Sequence, residues 1–269
     1  MSQGYANALL TLQFESYIQN QNGVDALFFS PYQEWDNVAR ENIDRWFPIR
    51  VWIPQAETGA TVLVMKAQQG DLLNVDGSFV YEEDKDNGFL PSLRIRANDI
   101  YPHSGHKFIN KVTVIGGKCL PKVSKAGKEL FEVWSSAPNK NGQAKRKCKV
   151  GVELPSSPNA EVNPETGYVD TKSQWLHIEA NFDVNKGSGK SSSLFPWLAG
   201  QVVSFAGSLS ISGSKGKAYV TIFLSGSNHF LSATRPAVRD ANAPKETPVE
   251  VKGYKTPVVS QSPEEGEDF

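Results

Sequence analysis

Gly200-Gln201-Val202-Val203-Ser204-Phe205-Ala206-Gly207-Ser208-Leu209 decides how this chain is organised, because an earlier stretch echoes it: Gly70-Asp71-Leu72-Leu73-Asn74-Val75-Asp76-Gly77-Ser78-Phe79. Both run glycine, polar, two apolar, polar, apolar, one variable, glycine, serine, apolar. From Gly70 to Gly200 is 130 residues, and a tryptophan on a strand-like run precedes each copy, Trp46 and Trp175, 129 residues apart. Two matching features at nearly one offset point to an internal duplication.

Working outward, each copy sits in a run of short strands. In the first unit Ala8 to Glu15 alternates, and Gln19 to Asn22 is turn-like. The segment Ile43 to Pro54 is the most informative. Phe47, Ile49, Val51 and Ile53 fall on one face of a period-2 strand; Trp46, Pro48, Arg50 and Trp52 fall on the other. The first face suffices for a core, so the tryptophans and Arg50 are surplus to it. Thr61 to Met65 reads as a helix or short strand. Glu82 to Gly88 reads as a polar hairpin tip, and Leu93 to Ala97 alternates again, with Arg94 and Arg96 outward. In the second unit Asn110 to Gly116 is a strand that breaks at Gly116-Gly117, a bulge signal. Leu130 to Trp134 reads as the next strand, and Pro138 to Ser173 as an irregular stretch carrying the basic knot Lys145-Arg146-Lys147-Cys148-Lys149. Trp175 to Ala180 alternates with Leu176, Ile178 and Ala180 inward, and Ala218 to Leu224 closes the unit after a tip holding Lys215 and Lys217.

About five strands per unit, glycine bends and a polar last hairpin match a small closed β-barrel of the OB type. The expectation is an all-β chain of two tandem five-stranded OB-fold barrels, at 5–103 and 108–232. A tail, 233–269, is too polar and aperiodic to offset its ordering entropy and is expected to be disordered, with an acidic tip ending in Phe269. A chain of 269 residues is long enough for a core in each unit.

Charge divides unevenly. Residues 1–100 carry net −7, residues 101–150 net +9, and the tail from 234 net −2. A first unit that is acidic and a second that is basic imply a polyanionic partner for the second. No apolar run is long enough to span a membrane and no signal peptide is visible, which points to the cytoplasm. Cys119 and Cys148 match no metal spacing, and His103-x-x-His106 lacks further ligands. With no phosphate loop, nucleophile–base pair or metal cluster, no enzyme activity and no cofactor are expected.

These residues resemble a family. Asn110 to Gly116 looks like the opening strand of bacterial single-stranded DNA-binding (SSB) proteins. Gln174-Trp175-Leu176-His177-Ile178 is similar to that family's Glu-Trp-His-Arg-Val segment, and Phe195 to Val203 to its Tyr-Leu-x-Lys-Gly-x-x-Val run. Lys66 through Ile100 resembles the same half of the fold, and the acidic end with Phe269 resembles the family's partner-binding tip. Departures are Ala199 where the family has lysine, a longer connection over Pro138–Ser173, and no proline before Phe269. The resemblance implies sequence-independent single-stranded DNA binding in replication, recombination and repair, with a nucleoid-associated cytoplasmic location. It further implies a homo-oligomer, a dimer supplying four barrels, and replication and repair partners held by Glu264, Glu265, Glu267, Asp268 and Phe269.

Such binding needs a basic groove and exposed rings, each base stack contributing about 1–3 kcal/mol. The candidates in the first unit are Trp46, Arg50, Trp52, Arg94 and Arg96. In the second they are Trp134, Lys145, Arg146, Lys147, Lys149, Trp175, Lys215 and Lys217. Trp46 and Trp175 occupy the place of the family's stacking tryptophan, and Trp52 that of a stacking phenylalanine. The second unit is expected to hold DNA more strongly. The alternatives are a β-rich structural or interaction protein with tryptophans at an interface, and an OB-fold accessory subunit of a nucleic-acid enzyme.

Overall fold

The computed structural model describes residues 5–81, 93–119, 134–135, 140, 142–183, 202–214, 217–224 and 230–233. The segment beyond 233, residues 82–92 with the expected hairpin tip Glu82 to Gly88, Lys215 and the segment 184–201 lie outside the described residues.

The first unit contains β1 (Tyr5–Asn20), β2 (Gly23–Asp36), β3 (Glu41–Pro54), α1 (Thr58–Lys66), β4 (Leu72–Phe79) and β5 (Leu93–Pro102). Pairing closes a ring in the order β1–β2–β3–β5–β4–β1, antiparallel everywhere except between β3 and β5. Alternation drives the closure: Ala8, Leu10 and Leu12 of β1, Ala26 and Phe28 of β2, Ile49, Val51 and Ile53 of β3, Val75 of β4 and Ile95 of β5 are all buried. Within the ring β1 pairs with β4 over Asn7–Gln13 and with β2 over Gln13–Asn20, with a register shift between Phe14 and Ser16 in the second pairing. α1 buries Ala60 and Val64 against the barrel.

The second unit repeats the ring with β6 (Asn110–Cys119), β8 (Gln143–Pro155), β9 (Thr171–Asp183), β10 (Val202–Ser214) and β11 (Lys217–Leu224). Its order is β6–β8–β9–β11–β10–β6, and again only the third and fifth strands, β9 and β11, run parallel. Among the described residues two short strands lie off the ring: β7 (Trp134–Ser135) on β8 and β12 (Phe230–Ala233) on β10. A closed five-stranded ring of this order, used twice, is a tandem OB fold. Among the described residues no helix is long and apolar enough to cross a membrane.

The duplicated stretch lies on β4 and β10, and its second glycine has the same task in both. A Cβ on Gly77 would overlap the Arg96 carbonyl oxygen and lie 2.6 Å from Ile95 Cγ2. One on Gly207 would lie 2.7 Å from the Phe223 oxygen and 2.8 Å from Ile222 Cγ2. Glycine is required where the last strand presses its backbone onto the fourth. The barrels are fused through β1 and β6, which pair antiparallel over Tyr5–Leu10 and Asn110–Ile115, so that one apolar core runs through both.

One part of the sequence reading is corrected. The second strand of the second barrel is β8, lying within the stretch taken as irregular, and of Leu130–Trp134 only Trp134 is a described strand residue, paired on the outer edge of β8 with Lys147. The basic knot hid the strand because its consecutive cations show no period-2 apolar signal. Its pairing with β9 along Gln143–Pro155 makes it one.

Candidate nucleic-acid interface

In the first barrel β2, β3 and β5 form a continuous outer face. Ile49–Trp52 pairs in parallel with Leu93–Arg96, which sets Arg50 beside Arg94 and Trp52 beside Arg96. Trp46 lies on this face, 53% exposed. Phe29 meets its edge at 6.5 Å between ring centroids, tilted 69°. Phe29 was not legible as a site residue. The signal was the pair Phe28-Phe29: in a strand one of two adjacent aromatics must face out, and Phe28 is fully buried.

The arginines of this face are not free cations. Arg50 Nη2 donates to Asp25 Oδ2 at 2.5 Å and Arg94 Nη2 to the same oxygen at 3.3 Å. One carboxylate thus fixes both guanidinium groups and halves the charge they offer. Arg96 stands beside Trp52 in a cleft of about 360 Å³.

Trp52 departs from the expectation of an exposed stacking ring: it is only 4% exposed. Alternation places it correctly on the outer face, but the connection between β8 and β9 supplies Pro158, Asn159, Ala160 and Glu161 to the opposite wall of the same cleft. Its ring also approaches Gly23, where an added Cβ would lie 3.0 Å from Cζ2. The indole Nε1 is buried without a hydrogen-bond partner, a state that costs about 1–3 kcal/mol.

In the second barrel the corresponding face is β8, β9 and β11. Trp175 is 39% exposed and pairs with Gly151 of β8. Gly151 is the floor under the indole: a Cβ there would lie 2.6 Å from Cζ3 and 3.1 Å from Cε3 and Cη2. The ring therefore lies across the sheet with its far side to solvent. Gly151 pairs in turn with Lys118 of β6, so an exposed lysine shares a cross-strand row with Trp175, two strands and about 10 Å away. The exposed Lys149 is next along β8, opposite His177. Tyr219, 39% exposed, stands on β11. Lys118 escaped the sequence reading because the left-handed Gly116, φ 68°, resets the alternation of β6.

Lys145, Arg146 and Lys147 are placed by strand register, opposite Asn181, Ala180 and Glu179, Trp134 pairs with Lys147, and Lys217 opens β11 opposite Ser214. Lys215, Glu264, Glu265, Glu267, Asp268 and Phe269 lie outside the described residues.

The chain is similar in trace to single-stranded DNA-binding proteins. The wild-type single-stranded DNA binding protein from Thermus aquaticus matches over 90% of this chain and 98% of its own, at 13% identity and a TM-score of 0.48. A deletion mutant of that protein matches over 92% and 100%, at 14% and 0.48. The small single-stranded DNA-binding protein from Streptomyces coelicolor matches over 38% of this chain and 95% of its own, at 18% and 0.23. No family model matches the chain, and no curated protein matches its sequence. At these identities and TM-scores no functional assignment rests on the likeness.

Superposing the two rings by register sharpens the duplication. Ile95 and Ile222, the residues against Gly77 and Gly207, pair with Val51 and Ile178. β3 and β9 therefore correspond at an offset of 127 (51 to 178), not 129. Trp175 is level with Pro48, and Trp46 with Ser173. The two tryptophans share a face but stand two residues out of step. Trp52 is level with Glu179, which is also buried, at 7% exposure.

Proposed function

We propose that this chain binds single-stranded DNA without sequence selection, laying bases on the outer faces of its two barrels. The observation that supports this reading is the seating of Trp175. An aromatic ring floored by a glycine, open on its far side and accompanied by Lys118 and Lys149, suits base stacking beside a phosphate chain. Trp46 with Phe29 offers a second platform, with Arg50, Arg94 and Arg96 on the same face. Lys145, Arg146, Lys147, Lys215 and Lys217 extend the basic character of the second barrel and Trp134 adds an aromatic, so that this barrel holds DNA more strongly than the first.

On this reading the protein coats single strands in replication, recombination and repair. It acts in the cytoplasm at the nucleoid, as a dimer of two-barrel chains, and takes no cofactor. Its acidic tip, Glu264, Glu265, Glu267, Asp268 and Phe269, recruits partner enzymes, the phenylalanine entering an apolar pocket ringed by cations.

The test is intrinsic tryptophan fluorescence on titration with oligo-dT. Saturable quenching that weakens as salt rises is expected, because cation–phosphate contacts release counterions. An absence of quenching, together with no shift of the oligonucleotide in native gels, overturns the reading.

A further inference from the structure

Between β8 and β9 the chain forms an arm, residues 156–170, that projects from the second barrel toward the first. It holds its own shape. Ser156 N–H donates to the Asp170 carbonyl at 2.9 Å, Val162 bridges Val169, and Asn163 organises the tip. The Asn163 N–H donates to the Tyr168 carbonyl at 2.9 Å, and its Oδ1 accepts from Glu165 N at 2.8 Å. The base of the arm is fastened to the first barrel: Tyr81 N–H donates to the Pro155 carbonyl at 3.0 Å, and Lys172 Nζ stands 5.0 Å over the Tyr81 ring.

The near side of the arm is different. Pro158, Asn159, Ala160 and Glu161 face Trp52 and Arg96 across the cleft. Among the described residues, no hydrogen bond or ion pair ties those four to Trp52, Arg96, Asn22 or Gln55. The arm carries Glu161, Glu165 and Asp170 and no lysine or arginine. An acidic segment, hydrogen-bonded to the first barrel at its base and resting on it elsewhere through packing such as that of the buried Pro158, thus lies over a patch holding Arg96 and Trp52, whose indole N–H has no acceptor.

We propose that the 156–170 arm is a displaceable cover on the first barrel, seated over Trp52 and Arg96 where a nucleic-acid strand would otherwise lie. Resting on the single-strand reading above, it gives Trp52 two states. With the arm down the ring is shielded, and Glu161 shares the cleft with Arg96. With the arm lifted a base stacks on the ring and takes a hydrogen bond from its N–H, and Arg96 donates to a phosphate. The strand competes with the arm for the same surface, so the affinity of the first barrel is reduced by the fraction of time the cover is closed. A closed cover thus makes the first barrel the weaker binder of the two on that reading.

The experiment uses the full chain with Pro158 to Gly167 replaced by Gly-Ser-Gly. Acrylamide quenching, with the Trp52 contribution isolated by Trp52→Phe in both backgrounds, reads the cover without DNA. The shortened chain should expose Trp52 to quencher. At fixed salt it should bind oligo-dT about tenfold tighter, the gain of roughly one base stack, and adding Trp52→Ala should abolish that gain. Unchanged quenching, unchanged affinity, or a gain that survives Trp52→Ala overturns the proposal; the last would reduce the removed segment to two repelling charges, Glu161 and Glu165. If neither chain binds oligo-dT, the single-strand reading itself falls and the cover's role with it. Should circular dichroism show the shortened chain unfolded, Pro158→Gly with Glu161→Gln, which keeps the hairpin, is held to the same outcomes.

Discussion

Gly151→Ala is the substitution that most directly examines the second barrel's face. An ordinary contact begins near 3.4 Å, and the new Cβ would lie 2.6 Å from Trp175 Cζ3, so the ring must lift by about 0.8 Å or swing aside. The backbone at Gly151 is ordinary strand without a positive φ, so alanine adds no torsional strain and slightly favours the β conformation. Trp175 is partly exposed and can move. The cost therefore falls on the position of the ring rather than on folding, within about 1 kcal/mol of wild-type stability. Trp175→Ala sets the scale: loss of one stacked base costs about 1–3 kcal/mol, or roughly 5- to 140-fold in affinity. Gly151→Ala should lose a substantial part of that, about 3- to 10-fold, because a tilted ring still meets a base over part of its face. Fluorescence anisotropy with a labelled oligo-dT at constant salt reads both, and thermal unfolding confirms unchanged stability. Full affinity in Trp175→Ala would refute stacking at this ring. Full affinity in Gly151→Ala beside a large loss in Trp175→Ala would refute the role given to the glycine floor.

Other perturbations follow from the same geometry. Trp46→Ala should weaken oligo-dT binding less than Trp175→Ala; an equal or larger loss would contradict the inequality between barrels. Asp25→Asn should remove the carboxylate charge that offsets Arg50 and Arg94, steepening the dependence of log affinity on log salt by about 0.7 per phosphate gained. It should also lower stability by about 1–3 kcal/mol, since the Arg94 guanidinium is left largely buried without its carboxylate. Gly77→Ala should destabilise the first barrel by about 1–3 kcal/mol through overlap with β5, seen as a lowered midpoint in urea. Removing residues 262–269 should raise oligo-dT affinity at low salt and abolish capture of partner proteins; no change in either would remove the tail from the account.

The sequence by itself determined the doubled barrel. The alternation of Phe47, Ile49, Val51 and Ile53 against Trp46, Arg50 and Trp52 gave one strand and its two faces, since side chains in a strand have a period of two wherever the strand lies. The repeated glycine-serine stretch marked the fourth strand of each ring, since only glycine tolerates the close last strand. Strand β8 was hidden because its pairing with β9, rather than any apolar period of its own, makes it a strand. Tertiary structure alone decided the fate of Trp52. Period fixes which face a side chain is on, but not what another part of the chain lays over that face, and residues 158–161 come from more than a hundred positions away. Likewise only the fold showed Asp25 holding both Arg50 and Arg94, and Gly151 lying under Trp175. Those contacts join strands whose register is set by closure of the barrels, and no local pattern encodes it.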